Sequence, residues 1–491
     1  MILSVGPLRV SWGESGRRRR SPPTLARRSA AYAAAESSLL TSGWDSEPKT
    51  PDEEIETTLR RLRARSRERV RNHCYARRFQ IMLKTNTVGP QGIQIQVQST
   101  FPDGRLDDAL NSVVEAAWRD WSRPENCDVA ERYSWRQMQE LWITTIARDG
   151  ECLARLYPDR GPYGLQLQLI DPEMLPVDYN VDALPGGGAI RMGIEIDSVG
   201  KPVAYHLRKA AATDRYYTIS IAPYERIPAR WILHGFVPDA IGQRRGIPWY
   251  AAALNEMRHL GGYTEAAVIA ARVGAAKGGW LKPTETGEGF VGEDEDEEKR
   301  PIIEAEPGTL GELPQGFDVV QFTPEYPRGE FPEFVKAMLR GIASALGVSY
   351  TSLANDLENV NYSSARVGVL DERAVFEGLQ NSIVEGLCRP VYERWLEIVL
   401  LGGLIRIGTE RIPIERWQKL RNVSWQGRRW PWVDPLKDAQ AATVDIEQGI
   451  RSRSEAIRER GRDPDEVWRE IAKERDQLQE LGLKFPILPG G

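Results

Sequence analysis

The sequence predicts a helix-rich α+β fold, and three observations predict it. From Gly329 to Leu404 the pattern is a helix, a polar turn and a second, much longer helix. Phe334, Met338, Ile342 and Leu346 recur at four-residue steps; after the turn Val375, Leu379, Ile383, Leu387, Val391, Trp395 and Ile398 resume that spacing. Between Cys152 and His234 the period drops to two, the mark of short strands. From Gly246 to Ala276 a stretch dense in alanine and glycine reads as another long helix.

The chain has 491 residues, length for roughly three domains. Its 41% hydrophobic content allows a sizeable core, and 65 Lys and Arg against 70 Asp and Glu leave a net charge of -5. A protein that grips nucleic acid tightly carries a basic excess, so any DNA contact is expected to be loose or local. Cys74, Cys127, Cys152 and Cys388 form no CxxC pair and read as reduced thiols. His73, His206, His234 and His259 are scattered and read as ordinary polar residues. No export signal is expected, because Arg17 to Arg20 follow the apolar start rather than precede it. Charges interrupt every apolar run, so no membrane span and no membrane partner are expected.

In chain order, residues 1–50 are rich in Arg, Ser and Ala and read as a flexible basic arm. Pro51 to Lys84 is helical in pattern, with Asp52, Glu53, Glu54 and Glu56 in the first turns, where the helix dipole favours anions. Its many arginines, Arg60 to Arg71, read alone suit a nucleic-acid helix, but they alternate with apolar positions around most of the helix and are expected to pair with acidic neighbours in an assembly. Ile93, Ile95 and Val97 alternate as a strand, and Asp107–Trp121 and Ser134–Asp149 are helices, Ser134 being a cap. Strands are expected at 152–157, 165–170, 190–196, 203–207 and 230–234. The small residues of the 246–276 helix allow close backbone approach; its glycines each cost about 1 kcal/mol relative to alanine, which packing must offset. Residues 278–328 form an insert with strand candidates at 279–283, 309–313 and 319–322 and an acidic run, Glu293, Asp294, Glu295, Asp296, Glu297 and Glu298. Pro332 opens the next helix and Gly347 closes it. The turn that follows is crowded with Asn and Asp, whose side chains compete for backbone hydrogen bonds. The second helix begins near Ser363 and spans roughly 60 Å, about twice a small domain, so it braces something larger than one compact subunit. Pro390 lies inside it and implies a kink near Gly386. From Leu436 to Leu483 the chain is again helical, with Asp463 and Pro464 starting the last segment.

No catalytic set emerges. The phosphate loop GxxxxGK[ST], the GxSxG elbow and HExxH are all absent from the sequence, and Pro185 to Gly188 is a turn without the GxGxxG spacing. Neither a metal site nor a cofactor is expected, and an enzyme is not.

Several ordered motifs carry a resemblance. They are Arg63-Ala64-Arg65-Ser66-Arg67, Val88-Gly89-Pro90-Gln91-Gly92-Ile93, Asp149-Gly150-Glu151, Gly193-Ile194-Glu195-Ile196-Asp197, His234-Gly235-Phe236 and Gln243-Arg244-Arg245-Gly246-Ile247-Pro248-Trp249. Leu346-Gly347-Val348, Asn361 to Arg366, Arg389-Pro390-Val391-Tyr392 and Trp432-Val433-Asp434-Pro435 complete the series. In this order and spacing the chain resembles the phage portal family, lambda-like branch, from about Tyr32 to Leu483.

The resemblance implies a portal fold with wing, stem, clip and crown regions, assembled as a homo-oligomeric ring, usually a dodecamer, at one capsid vertex. It implies double-stranded DNA in a central channel during packaging and ejection, docking of the terminase large subunit and later of a head–tail adaptor, contact with major capsid and scaffolding proteins, and nucleation of the procapsid. The protein would assemble in the host cytoplasm and reside in the virion. On this plan residues 1–50 are the arm, 51–245 the wing, 246–276 the first stem helix, 277–331 the clip and 332–348 the second stem helix. Residues 349–362 are the channel loop, 363–435 the long wing helix and its return, and 436–491 the crown and tail. Channel-lining candidates are Lys336, Arg340, Asn355, Asp356, Glu358, Asn359, Asn361 and Tyr362; the acidic run at 293–298 faces terminase or adaptor. Lys336 and Arg340 form a thin basic ring or else pair with acids of neighbouring subunits. Two other readings stand beside this one: a head–tail adaptor ring without motor docking, and a hydrolase or nuclease.

Overall fold

The computed structural model describes residues 2–5, 8–11, 43, 46–209, 224–275, 279–283, 317–321, 329, 331–358, 362–430, 435–460, 462 and 464–482. They fall in two units, Met1–Thr50 and Pro51–Gly491.

In the first unit β1 (Ile2–Val5) pairs antiparallel with β2 (Leu8–Ser11), Ile2 opposite Ser11 and Val5 opposite Leu8. The sequence reading has no strand here. Strong β-formers on both sides of Gly6-Pro7 supply the hairpin signal that the basic composition of the arm obscures. The arginines at 17–20 and 27–28 lie outside the described residues.

In the second unit the expected helix from Pro51 to Lys84 is two helices, α1 (Pro51–Asn72) and α2 (Cys74–Leu83), separated by an extended His73. A π-helical turn, Lys84–Val88, follows and stops at Gly89, whose φ is +75°. Next come β3 (Gln94–Val97), α3 (Asp108–Trp121), α4 (Pro124–Cys127) and α5 (Trp135–Asp149). Asp107 caps α3 by accepting from the Leu110 N–H, and Ser134 with Gln137 forms a capping box on α5.

The strand-rich part holds β4 (Glu151–Pro158), β5 (Leu165–Ile170), β6 (Ala189–Arg191), β7 (Ile194–Ile196), β8 (Pro202–Leu207), β9 (Glu225–Pro228) and β10 (Ile232–Phe236). They make two antiparallel sheets, ordered β10-β4-β5 and β6-β7-β8-β9. The single strand expected at 190–196 is a hairpin. Met192 and Gly193 between its arms have φ of +46° and +81°, the paired positive angles of a type I′ turn. Methionine is a rare residue in that position, and this hid the turn.

The helix expected from 246 begins later, as α6 (Leu254–Ala275). Beyond it β11 (Gly279–Pro283) and β12 (Phe317–Gln321) pair antiparallel, Trp280 opposite Val320. Then come α7 (Phe331–Ala345), the short α8 (Tyr350–Ala354) and α9 (Tyr362–Ile383). Gly347 ends α7 with φ +67°. Its N–H donates to the Ser344 carbonyl and the Val348 N–H to Ala343, the paired bonds of a Schellman close. The disruption expected from Pro390 is a π-helical turn, Val384–Cys388, that leads into α10 (Arg389–Leu401). Arg389 N–H reaches back five residues to the Val384 carbonyl. The wider turn makes room where proline cannot donate and would crowd the preceding turn.

The remaining elements are β13 (Arg406–Ile407), β14 (Glu410–Arg411), α11 (Trp417–Leu420), β15 (Val423–Gln426), α12 (Pro435–Glu447), α13 (Arg453–Glu459) and α14 (Pro464–Glu480). β15 supplies the partner of β3 from over three hundred residues away, Val423 opposite Val97. The main core lies where α3, α5 and α10 meet. Trp118 stacks on Trp121 at 4.5 Å and meets Trp135, Tyr392 and Trp395 edge-on at 5.1 to 5.7 Å. Two polar ends of this apolar cluster are satisfied, Trp121 Nε1 donating to the Leu165 carbonyl and the Tyr392 hydroxyl to that of Leu420, both at 2.8 Å, whereas Trp135 Nε1 and Trp395 Nε1 are buried without a hydrogen-bond partner among the described residues.

Candidate functional site

The candidate channel residues that the structure describes, Lys336, Arg340, Asn355, Asp356 and Glu358, lie where α7 hands over to α9. Lys336 Nζ lies 3.6 Å from Glu358 and 3.9 Å from Glu333. Arg340, one turn on, sits over the Tyr350 ring at 5.6 Å, a cation–π arrangement. Both cations therefore find partners inside their own chain. Tyr350 donates its hydroxyl to Asp356 Oδ2 at 2.6 Å, and Asp356 Oδ1 accepts the Glu358 N–H at 3.0 Å. The Tyr350 hydroxyl, the Glu358 amide and the charge of Lys336 hold the half-buried Asp356 carboxyl below its usual range. Burial first, and then the Asp356 carboxylate, push the Tyr350 hydroxyl up to about 12.

Asn355 closes α8 in the left-handed conformation, φ +54° and ψ +36°, which asparagine tolerates better than most residues. Ser349 caps α8 by accepting from the Ser352 N–H. The buried Glu372 of α9 receives the hydroxyls of Ser349 and Ser352 at 2.9 and 2.7 Å. Arg78 of α2 donates to the Ser352 carbonyl at 3.2 Å. The turn thus leaves a base bolted to α2 and α9, with Leu357 and Glu358 exposed beyond it. Asn359, Asn361 and the acids at 293–298 lie outside the described residues. Tyr362 opens α9, and its side chain is likewise outside the description.

A second convergence involves residues far apart in the chain. Glu151 at the start of β4 is wholly buried and meets Arg245 Nε at 2.9 Å, Arg63 Nη2 at 3.0 Å, His234 Nε2 at 3.0 Å and the Gly246 N–H at 3.1 Å. Burial alone would raise the pKa of this carboxyl; Arg245, His234 and Arg63 together hold it well below the usual range instead. Arg245 spends its remaining donors on the carbonyls of Met192 and Leu175 at 2.7 and 3.0 Å. One turn along α1, Arg67 grips Asp149 through two nitrogens at 2.8 and 2.9 Å and Asp171 at 2.6 Å. The arginines expected to pair across an assembly pair within the chain at these two positions, because α1 packs along α5 and presents them to the α5–β4 corner.

Glycine makes the corner possible. A Cβ on Gly150 would stand 2.4 Å from the Gly246 carbonyl oxygen, and one on Gly246 2.0 Å from that of Gly150. The 63–67, 149–151, 234–236 and 243–249 motifs are therefore four strands of one ionic knot. Arg63, Glu151 and Arg245 are at most 1% exposed, so no substrate reaches them, and the knot is scaffold. Among the described residues no group of three His, Cys, Asp or Glu is arranged to hold a metal ion.

A family described as phage portal protein, lambda family, matches residues 37–380. The chain is 36% identical over 469 residues to a probable portal protein of Halomonas phage phiHAP-1, covering 93% of this chain and 88% of that protein. The chain belongs to the lambda family of phage portal proteins. Portal protein B of Escherichia phage lambda is 22% identical over 410 residues, covering 77% of this chain and 76% of that one. Among solved structures, the neck of an empty GTA particle is similar at 14% identity and a TM-score of 0.44, over 87% of this chain and 98% of that chain. In this portal chain the family match takes in the ionic knot and the whole 331–372 turn.

The sequence reading named the acids and amides of the turn and missed the residues that hold it: Ser349, Tyr350, Ser352 and Glu372. One signal was available. A serine two residues after the helix-ending Gly347, ahead of Tyr350, is an N-cap signature for a short helix.

Proposed function

We propose that copies of this chain close into a ring, a dodecamer in the expected form, at one vertex of an icosahedral capsid, and that double-stranded DNA passes through it in packaging and ejection. The observation that carries the reading is family membership across residues 37–380, joined to a 36% identical relative bearing the portal name over 93% of the chain. In this reading α6 and α7 are the stem helices, residues 277–331 are the clip where the terminase large subunit and later the head–tail adaptor dock, and 349–362 is the channel loop. The helix from Tyr362 to Leu401 is the spine of the wing and α12 to α14 the crown. The ring contacts major capsid and scaffolding proteins, nucleates the procapsid in the host cytoplasm and stays in the virion. Among the described residues no helix is long and apolar enough to cross a membrane.

The physics of a conduit supports this assignment. Each phosphate that a Lys or Arg neutralises adds a salt-sensitive attraction, and many such contacts would arrest a moving duplex. At the turn Lys336 is already faced by Glu333 and Glu358, Asp356 and Glu358 reach solvent, and the net charge is -5. The test is the native mass of the purified full chain with negative-stain imaging. Closed rings with a central hole are expected; a monomer at every concentration, with added scaffolding protein included, overturns the proposal.

A further inference from the structure

A second charged region owes nothing to the turn or to the buried knot. An open cleft of about 1090 Å³ lies between the π-helical turn at 84–88, the Gly89-to-Gly92 loop, the outer faces of α3 and α5, the end of β15 and the side chains of Arg460 and Arg462. Its lining carries six cations, Lys84, Arg119, Arg428, Arg429, Arg460 and Arg462, against two carboxylates, Glu115 and Glu140. Both carboxylates are engaged. Glu115 accepts the Val97 N–H at 2.7 Å, and Glu140 is paired with Arg136.

The cations differ in what they have to spare. Arg428 is pinned by the Thr85 carbonyl and Asn86 Oδ1, Arg429 faces Glu377 at 3.4 Å and Arg462 is paired with Glu470. Lys84, Arg119 and Arg460 have no ion-pair partner among the described residues, and Arg119 and Arg460 are exposed. A basic cluster of this density in a chain of negative net charge is held together against its own repulsion. Burial and the nearby Arg373 already disfavour the charge on Arg428, a cost that a bound anion relieves. The backbone is shaped to bring the cluster close: a Cβ on Gly89, itself at φ +75°, would stand 2.9 Å from the Cβ of Arg428.

We infer that this cleft binds phosphate groups, and that the backbone of duplex DNA is the occupant. Five of the six cations are arginine, whose planar fork matches phosphate oxygens two at a time. The cleft is open and far larger than one ion, which suits a chain of spaced phosphates. The inference stands independently of the ring, because every residue in it comes from one chain. It also assigns DNA two contrasting contacts, a weak one where the duplex must slide and a firmer one where it can rest.

The experiment measures binding of a fluorescent random-sequence duplex to the full chain across a salt series. Arg119→Gln with Arg460→Gln removes two free cations from the cleft, and Arg65→Gln with Arg160→Gln removes two exposed charges elsewhere as a control for net charge. The cleft variant is expected to flatten the log–log salt dependence by about 2 relative to the parent, with the control unchanged. Equal change in both variants, or none in either, overturns the inference. Competition at constant ionic strength separates the sources. Retention of DNA against inorganic phosphate supports the duplex backbone as occupant, whereas displacement by low concentrations of it supports a small-anion phosphate site. Displacement by polyglutamate as effective as by unlabelled DNA overturns phosphate recognition in favour of an acidic protein segment.

Discussion

The knot around Glu151 and the turn after α8 are built from the same kinds of side chain, carboxylates and cations in close pairs, and they differ in access to water. Arg63, Glu151 and Arg245 are sealed from solvent, and each donor that can reach the carboxylate does so. Lys336, Glu333 and Glu358 are loosely spaced, and the two acids are roughly three-quarters exposed. Breaking a buried pair strands a charge in a low-dielectric interior and costs about 3–5 kcal/mol, while an exposed pair contributes about 0–1 kcal/mol. The lesson is that the knot fixes the corner where α1, α5, β4 and the 243–249 segment meet, and the turn keeps charges available because they stabilise so little.

Three measurements can break or sharpen this contrast. The largest effect is expected from Glu151→Ala, which leaves two buried guanidiniums unmatched and should lower unfolding stability by about 3–5 kcal/mol; chemical denaturation that finds a loss below about 1 kcal/mol would remove the knot from the scaffold. A graded effect comes from acid. The folded-state pKa of Glu151 lies well below its ordinary 4.5, so its contribution is complete above that pH and drains as pH falls through and beneath it. The stability gap between the parent and Glu151→Gln should therefore narrow on acidification below about pH 4.5, and a gap independent of pH would contradict the assignment. The smallest effect on stability, under about 1 kcal/mol, is expected from Asp356→Lys with Glu358→Lys. In that variant rings should still form while DNA packaging slows; an unchanged packaging rate would mean that the turn does not meet DNA.

What the sequence disclosed follows the range of the forces involved. The helix read from Phe334, Met338 and Ile342, the stop at Gly347 and the break imposed by Pro390 depend on neighbours within a turn or two, and all appear in the structure, although the buried face of that helix runs through Leu339, Ile342 and Ala343 and leaves Phe334 exposed. The Met192-Gly193 turn is equally local but was masked by an atypical residue. Glu151 pairs with Arg63 and Arg245 across 88 and 94 residues, and β3 finds β15 across a still longer separation. No periodicity encodes such partners; only the folded corner shows why those motifs carry arginine, glutamate and glycine in those places. For the turn, composition exposed the acids that face water, whereas the hidden anchor, Glu372, looks like any other glutamate on a long helix.

The widened turn at Val384–Cys388 also settles a question of phase. A stripe spaced strictly by four drifts around a helix that repeats every 3.6 residues, yet Ile383, Leu387, Val391 and Trp395 are all at most 1% exposed. The five-residue loop of the π turn absorbs the accumulated rotation. Deleting one position between 384 and 388 would return the segment to an ordinary α-turn and leave the phase of everything past Arg389 nearly unchanged, but it would set Pro390 against an unwidened preceding turn.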